Sequence, residues 1–504
     1  MSNKQVSDSR INAINKEISQ TNQLLTDGKL HTALDEAHRI IQAYPGFGAC
    51  HRLLGATLLE FGKKEAANAC FRRALELDPS DASRRLLARG LVEIGDHQEA
   101  LSVLATMHEP DTATSRALRI EALAGSGRRE EAETLTIKTL DERRESPSLL
   151  VAVAGYGLAL DYPNLVSRLS PLLELKENSP SLTAKLKFCI GDILHQQGEH
   201  AAAFHAFGDG NRLARSASHR TPFNPDSYRK RVHSITKNFP LKVLQQDPSI
   251  TPRASMSRLL MIIGAPRSGK TLLESLLTCH PEIRAGREQI PFETLLGQVE
   301  QQTGQDRNHL LATLPLETRL KSAGPYQRTL QQQGAGVHFV TDTNPANLAA
   351  LGYMWASIPE SRFIFVDRDP LDLGFSNYAT HMPHIGTGQL GLEDLGIYLG
   401  EVQRLSAFWQ KAFGDRAMRV SYEAITGDEA ESVIQACLAF LGLDWHPDCA
   451  LANQAPTRTT VAGDAMAGHR PDDRFIGIAK PYREWLTPMQ ESMRQVLSET
   501  EMDP

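Results

Sequence analysis

The stretch LLMIIGAPRSGKTL, residues 259–272, decides how this chain is read. Its apolar run, Leu259 to Ile263, fits a buried parallel strand. The run breaks at Gly264 and Pro266, and a helical pattern resumes from Thr271. A strand, a glycine-bounded turn and a helix start together make an anion cradle. Unpaired backbone N–H groups and the positive end of the helix dipole point at whatever sits in the loop. Arg267 and Lys270 add two charges there, and Ser268 and Thr271 add hydroxyl donors. The stretch therefore predicts a site for a phosphorylated ligand. Gly264 to Thr271 also satisfies G-x-x-x-x-G-K-T, the nucleoside-triphosphate loop with its magnesium-holding threonine.

Composition frames this site. At 504 residues the chain is too long for one core, and 41% apolar with 23% charged residues is ordinary for a globular protein. A net charge of −6 leaves no nucleic-acid footprint. Six cysteines at 50, 70, 189, 279, 437 and 449 show no C-x-x-C spacing, which argues against a zinc site or disulfide framework. The polar N-terminus lacks the apolar region of a secretory signal, and no run reaches the about 18 apolar residues of a membrane span. The expectation is a cytoplasmic protein without a membrane or nucleic-acid partner.

Upstream of residue 215 the chain repeats itself. Gly28, Gly62, Gly95 and Gly127 recur at intervals of 34, 33 and 32, with Ala33, Ala67, Ala100 and Ala132 each five residues later. Leu24, Leu58, Leu91 and Leu123 stand four residues before each glycine. The unit from Pro45 to Pro79 resembles a tetratricopeptide repeat, with glycine for the inter-helix turn and alanine for close helix crossing. A weaker unit follows near Asp161, and GEHAAAF at Gly198 echoes GKKEAANACF at Gly62. Stacked units present a face for a peptide or protein partner, or for a second copy of the chain. Prolines at 222, 225, 240, 248 and 252 mark residues 216–256 as a connecting region, within which YRKRVHSITKNF reads as a short basic helix.

Two more apolar segments follow the loop, VHFVTD (337–342) and RFIFVDRDP (362–370), at spacings suited to crossover connections. The predicted fold is an α-helical tetratricopeptide solenoid (1–215) followed by an α/β P-loop-like domain with a central parallel sheet (257–504). Here PRSGKTL, FIFVDRDPLDLGFSNY and RVSYEAITG…FLGL resemble the sulfotransferases, notably bacterial proteins with tetratricopeptide repeats and protein-tyrosine sulfotransferases, over residues 257–490. The resemblance implies 3′-phosphoadenylyl sulfate as donor, with no metal. Pro266, Arg267, Ser268, Gly269, Lys270, Thr271 and Leu272 would hold its 5′-phosphosulfate, Arg368 and Ser376 its 3′-phosphate, and Tyr422 would pack beside it. By the same resemblance Glu288, in AGREQIPFETL, is the general base, Arg267 and Lys270 stabilise charge on the bridging oxygen, and Arg287 is a candidate to line the acceptor pocket.

Two features depart from the family. Thr343 stands where relatives carry a lysine, while Lys270 stands where their loop has threonine, so the cation has moved or transfer is weakened. In MAGHRPDDRFIGIAKPYREWL, Arg470, Gly477 and Tyr482 match the family's C-terminal lid, Ala479 replaces a tryptophan, and Lys480 is a candidate substitute. The hydroxyl acceptor stays open among a protein tyrosine, a carbohydrate and a small metabolite. A P-loop kinase or NTPase using Mg-ATP, with Asp367 as strand-end metal ligand, is the alternative. A catalytically weak nucleotide-binding repeat scaffold is a third.

Overall fold

A computed structural model describes residues 3–26, 29–61, 63–108, 112–176, 178–218, 222–244, 257–286, 292, 296–297, 300–301, 304, 324–334, 336–358, 360–382, 389–452 and 475–501. Two compact units share the chain. The first takes Met1–Pro222 together with Ala379–Gln389, and the second includes Phe223–Tyr378 and Leu390–Thr457.

The first unit is built of antiparallel helix pairs: α1 (Asn3–Thr26) with α2 (Leu30–Ala43), α3 (Gly48–Glu60) with α4 (Lys64–Leu77), α5 (Asp81–Glu93) with α6 (His97–Ala105), and α7 (Ala113–Gly125) with α8 (Arg129–Asp141). The array continues through α9 (Pro147–Tyr156) and the short α10 (Leu165–Leu169) to α11 (Pro180–Gln196) and α12 (His200–Ala217). The repeating residues explain the pairing. Gly95, Gly127 and Gly198 turn the chain between partner helices in the left-handed region, at φ 81°, 82° and 82°. Ala33, Ala67, Ala100 and Ala132 have no exposed surface. Phe71 and Phe207 each follow a repeating glycine of the sequence, Gly62 and Gly198, by nine residues, and each lies over a glycine of the preceding helix. A Cβ on Gly55 would come within 2.5 Å of Phe71, and one on Gly191 within 2.5 Å of Phe207. The echo between residues 62–71 and 198–207 is thus one packing device used twice.

A half-buried carboxyl in this unit gives a pH-dependent stability. Glu121 on α7 is pushed up to about 7 by burial first and by the neighbouring Glu93 charge second. The folded state binds this proton more tightly than the unfolded chain, so stability falls as pH rises from about 4.5 to 7. Glu121→Gln should therefore raise the thermal midpoint at pH 8, by a free energy on the order of 2 kcal/mol, and leave it unchanged at pH 4.

Within the residues read as a connector, Pro225–Asn238 form helix α13 of the second unit. Asn224 caps it by accepting from Ser227 N at 2.8 Å, and Pro225 sits at the first turn, where its missing N–H costs nothing. Val232 and Ile235 provide its buried face.

The sheet of the second unit is parallel throughout, in the order β2 (Ile283–Arg284), β3 (Phe339–Asp342), β1 (Arg258–Ile263), β4 (Arg362–Asp367), β5 (Ala417–Ser421). β1 and β4 are near-continuous apolar runs because helices cover both faces. Helix α14 (Lys270–Leu277) follows β1 and contributes Leu272, Leu273, Leu276 and Leu277 to the core beneath the sheet. After β2 come α15 (Gly324–Gln333), α16 (Leu351–Ser357), α17 (Pro370–Tyr378), α18 (Leu392–Phe413), α19 (Tyr422–Thr426), α20 (Ala430–Leu441), α21 (Pro447–Ala452) and α22 (Thr487–Glu501). With β3 on one side of β1 and β4 on the other, successive connections leave the centre in opposite directions. The crevice over the carboxyl ends of these strands is where open α/β sheets bind ligands.

Candidate active site

The loop between β1 and α14 is strained where it would meet an anion. Arg267 adopts φ 66°, a left-handed backbone unusual for a side chain of its size, and Gly269 follows at φ 101° as N-cap of α14. Gly264 is fixed by crowding, since a Cβ there would lie 2.4 Å from Ser268 Oγ and 2.6 Å from the Val366 carbonyl. Gly264→Ala should accordingly displace the loop and cost about 1–3 kcal/mol of stability, read as a drop in thermal midpoint.

Three elements and the C-terminal stretch converge on this loop. Arg368, at the end of β4, donates from Nη1 to the Arg267 carbonyl at 3.0 Å and from Nη2 to the Phe475 carbonyl at 2.9 Å. Ser376 on α17 accepts from Arg267 Nε at 3.3 Å. The neighbouring Asn377 donates to the Pro266 carbonyl at 2.9 Å and to Leu373 of its own helix at 2.8 Å. Tyr422, at the start of α19, lies under the Arg368 guanidinium at 4.4 Å from its ring centre. The same ring abuts Gly269, where a Cβ would approach it to 2.5 Å. Residues 267, 268, 269, 368, 376 and 422 therefore occupy one place, although 155 positions separate the first from the last.

Electrostatics at the crevice favour an anion. Burial lowers the proton affinity of Arg368 below the usual arginine value; Tyr422 opposes this, and the charge on Arg267 adds to it. Two buried polar atoms, Ser268 Oγ and Arg368 Nε, have no hydrogen-bond partner among the described residues. Such atoms are costly unless a ligand satisfies them. The buried Lys270 directs Nζ to the Gly264 and Ala265 carbonyls, at 3.1 and 2.8 Å. Leu272 turns into the core below the sheet.

The C-terminal stretch is tied to the same helix. Asp372 accepts from Gly477 N at 2.6 Å and Ala479 N at 3.0 Å, and Tyr482 stacks on Phe375 at 4.0 Å between ring centres. Ala479 is fully buried and Lys480 exposed. Arg287, Glu288 and Arg470 lie outside the described residues. At the end of β3, Thr343 is buried at 3% exposure. Asp367 accepts a hydrogen bond from Arg419 Nε on β5, so its carboxylate is engaged in an ion pair there.

Asn377 and Asp372 are supports of the crevice that sequence reading passes over. Asn377 adjoins Ser376, and Asp372 stands in the same helix, so their proximity to a site residue is the one signal available.

Among the described residues, no helix is long and apolar enough to cross a membrane. The sulfotransferase family model matches residues 260–447. An uncharacterised protein of Aquifex aeolicus (strain VF5) is 23% identical over 447 residues, covering 85% of this chain and 54% of its own length. Protein-tyrosine sulfotransferase 2 of Gallus gallus is 24% identical over 202 residues, covering 37% of this chain and 52% of its own length. The chain thus spans about half the length of these two relatives. Among solved structures, the sulfotransferase domain from the curacin biosynthetic pathway aligns with 49% of this chain and 99% of its own, at 18% identity and a TM-score of 0.32. The matched span begins within β1 and takes in the loop, the end of β4 and Tyr422, and this part of the chain is a sulfotransferase-family domain.

Proposed function

We propose that this protein transfers a sulfuryl group from 3′-phosphoadenylyl sulfate to a hydroxyl acceptor. The supporting observation is the pair of buried polar atoms without a partner among the described residues, Ser268 Oγ in the loop and Arg368 Nε at the end of β4, where the Arg368 guanidinium donates to the loop's Arg267 carbonyl. A donor with phosphates at its 5′ and 3′ positions asks for two such anion contacts at one crevice. The loop amides, Ser268 and Lys270 meet the phosphosulfate, and Arg368 with Ser376 meets the 3′-phosphate. Tyr422 packs beside Arg368 and the loop and keeps both in register.

In the transfer step, Glu288 takes the acceptor's hydroxyl proton as the new O–S bond forms. The S–O bond to the bridging oxygen breaks, and its electron pair leaves with adenosine 3′,5′-bisphosphate. Arg267 and Lys270 stabilise the charge that builds on that oxygen. Lys270 compensates for Thr343 standing at the family's lysine position. A tyrosine hydroxyl is the acceptor to try first, because several relatives are named protein-tyrosine sulfotransferases. The helical repeats would then present the peptide that carries it.

The Mg-ATP reading needs Asp367 as a metal ligand, and the ion pair with Arg419 weighs against it. Calorimetry separates the two. Sulfuryl transfer expects tight, metal-independent binding of adenosine 3′,5′-bisphosphate and weak binding of ATP with magnesium. The opposite order of affinities would overturn it.

A further inference from the structure

Four consecutive carbonyl oxygens of the loop after β1 accept hydrogen bonds from side chains. Lys270 Nζ donates to Gly264 at 3.1 Å and to Ala265 at 2.8 Å. Asn377 Nδ2, on α17, donates to Pro266 at 2.9 Å. Arg368 Nη1, at the end of β4, donates to Arg267 at 3.0 Å. The Ala265 oxygen accepts a second bond, from Ser268 N at 3.2 Å, which closes the turn. All three donor side chains are buried, Lys270 at 6%, Asn377 at 4% and Arg368 at 9% exposure. A peptide carbonyl carries partial negative charge, so an oxygen facing the crevice would repel the anion that the N–H groups attract. In a trans peptide the C=O and the N–H that follows it point opposite ways. Drawing the Pro266 carbonyl to Asn377 therefore turns the Arg267 N–H away from α17.

Asn377 differs from the other two donors in having no charge to offer a ligand. Its amide nitrogen serves two carbonyls, Pro266 in the loop and Leu373 of its own helix, the latter at 2.8 Å. The Pro266 and Arg267 carbonyls lie on the two peptide planes that flank the Arg267 Cα. Asn377 and Arg368 thus hold, from outside the loop, the two torsions of a residue at φ 66°. A left-handed backbone under a large side chain is strained, and it persists only where its surroundings over-determine it. Arg267 Nε, donating to Ser376 Oγ at 3.3 Å, ties the strained residue's side chain to the same helix. We infer that Asn377 is a positioning residue, which holds the Pro266–Arg267 peptide in the form that turns the loop's N–H groups to the donor's 5′-phosphosulfate. The inference rests on the reading of this loop as the holder of that group. Asn377 touches no ligand in this role, so its substitution acts on the 5′ end of the site alone.

The test titrates the full chain with adenosine 5′-phosphate and, separately, with adenosine 3′-phosphate. Asn377→Ala should weaken the 5′-phosphate about 10-fold, the scale of one lost hydrogen bond, and leave the 3′-phosphate within about 2-fold. Asn377→Asp keeps the volume and, ionised, has no proton to donate; it should weaken the 5′-phosphate at least as much. The two variants cover each other should one fold poorly, and thermal midpoints show which of them keeps the native structure. An equal loss for both nucleotides, or an unchanged 5′-phosphate affinity in a folded variant, would overturn the inference. Should the wild-type protein prefer ATP with magnesium to adenosine 3′,5′-bisphosphate, the donor reading falls by itself. The role of Asn377 is then decided by the same factor, measured on ATP.

Discussion

Arg368→Ala weakens the binding of adenosine 3′,5′-bisphosphate by about 2–4 kcal/mol, the scale for losing one side of a buried charged contact. The expected loss is large because the guanidinium is itself buried at 9% exposure and held by three neighbours. Its Nη atoms lie on the Arg267 and Phe475 carbonyls, and its face lies on Tyr422. Removing it strips a charge from the crevice and two supports from the loop and the C-terminal stretch together. Arg368→Lys should recover little, since an ammonium lacks the planar fork that serves two carbonyls and a phosphate at once. Isothermal titration with adenosine 3′,5′-bisphosphate and with adenosine 5′-phosphate checks both parts. The variant should lose discrimination between them, because the 3′-phosphate is the group it no longer contacts. An equal loss for both nucleotides would assign Arg368 to the fold of the loop and not to the 3′-phosphate.

Glu288→Ala produces the other large effect, a fall in turnover of about 10²–10⁴-fold with nucleotide affinity unchanged. A general base acts on the acceptor's proton in the transition state and contributes nothing to holding the donor, so rate and affinity should separate. The measurement pairs steady-state release of adenosine 3′,5′-bisphosphate with titration of the same nucleotide. Loss of affinity in parallel with rate would indicate that the residue supports the donor pocket. Unchanged rate would move the base elsewhere in the crevice.

The parts of this protein that local chemistry governs are legible in its residues alone. Residues 259–263 announce a strand and 264–270 a phosphate-type turn, because five apolar residues and two glycines leave few other conformations. The glycine and alanine spacing of residues 28–132 likewise implies paired helices, as turn geometry and close crossing each demand one residue type. The meeting of Arg368 and Ser376 with the loop is readable through family resemblance alone, since nothing local links them to Arg267. Asp372 and Asn377 are not readable at all. Each is a common polar residue whose partner lies far along the chain: Asn377 finds Pro266 across 111 positions, and Asp372 finds Gly477 across 105. Helix α13 shows the ambiguity of proline, which ends one helix and opens the next with equal ease.

By itself, then, the sequence determined the two-part layout, the order of strands and helices around the loop, and the glycine-bounded turn of residues 264–269 between strand and helix. The tertiary structure alone decided that β4 lies beside β1, so that Arg368 reaches the Arg267 carbonyl, and that Tyr422 arrives beneath both. It also decided that Asn377 reaches the Pro266 carbonyl. The physical reason is range: backbone preference and apolar periodicity act over a turn or a strand. A buried polar group accepts whichever partner the fold delivers, and that delivery depends on the packing of the whole sheet.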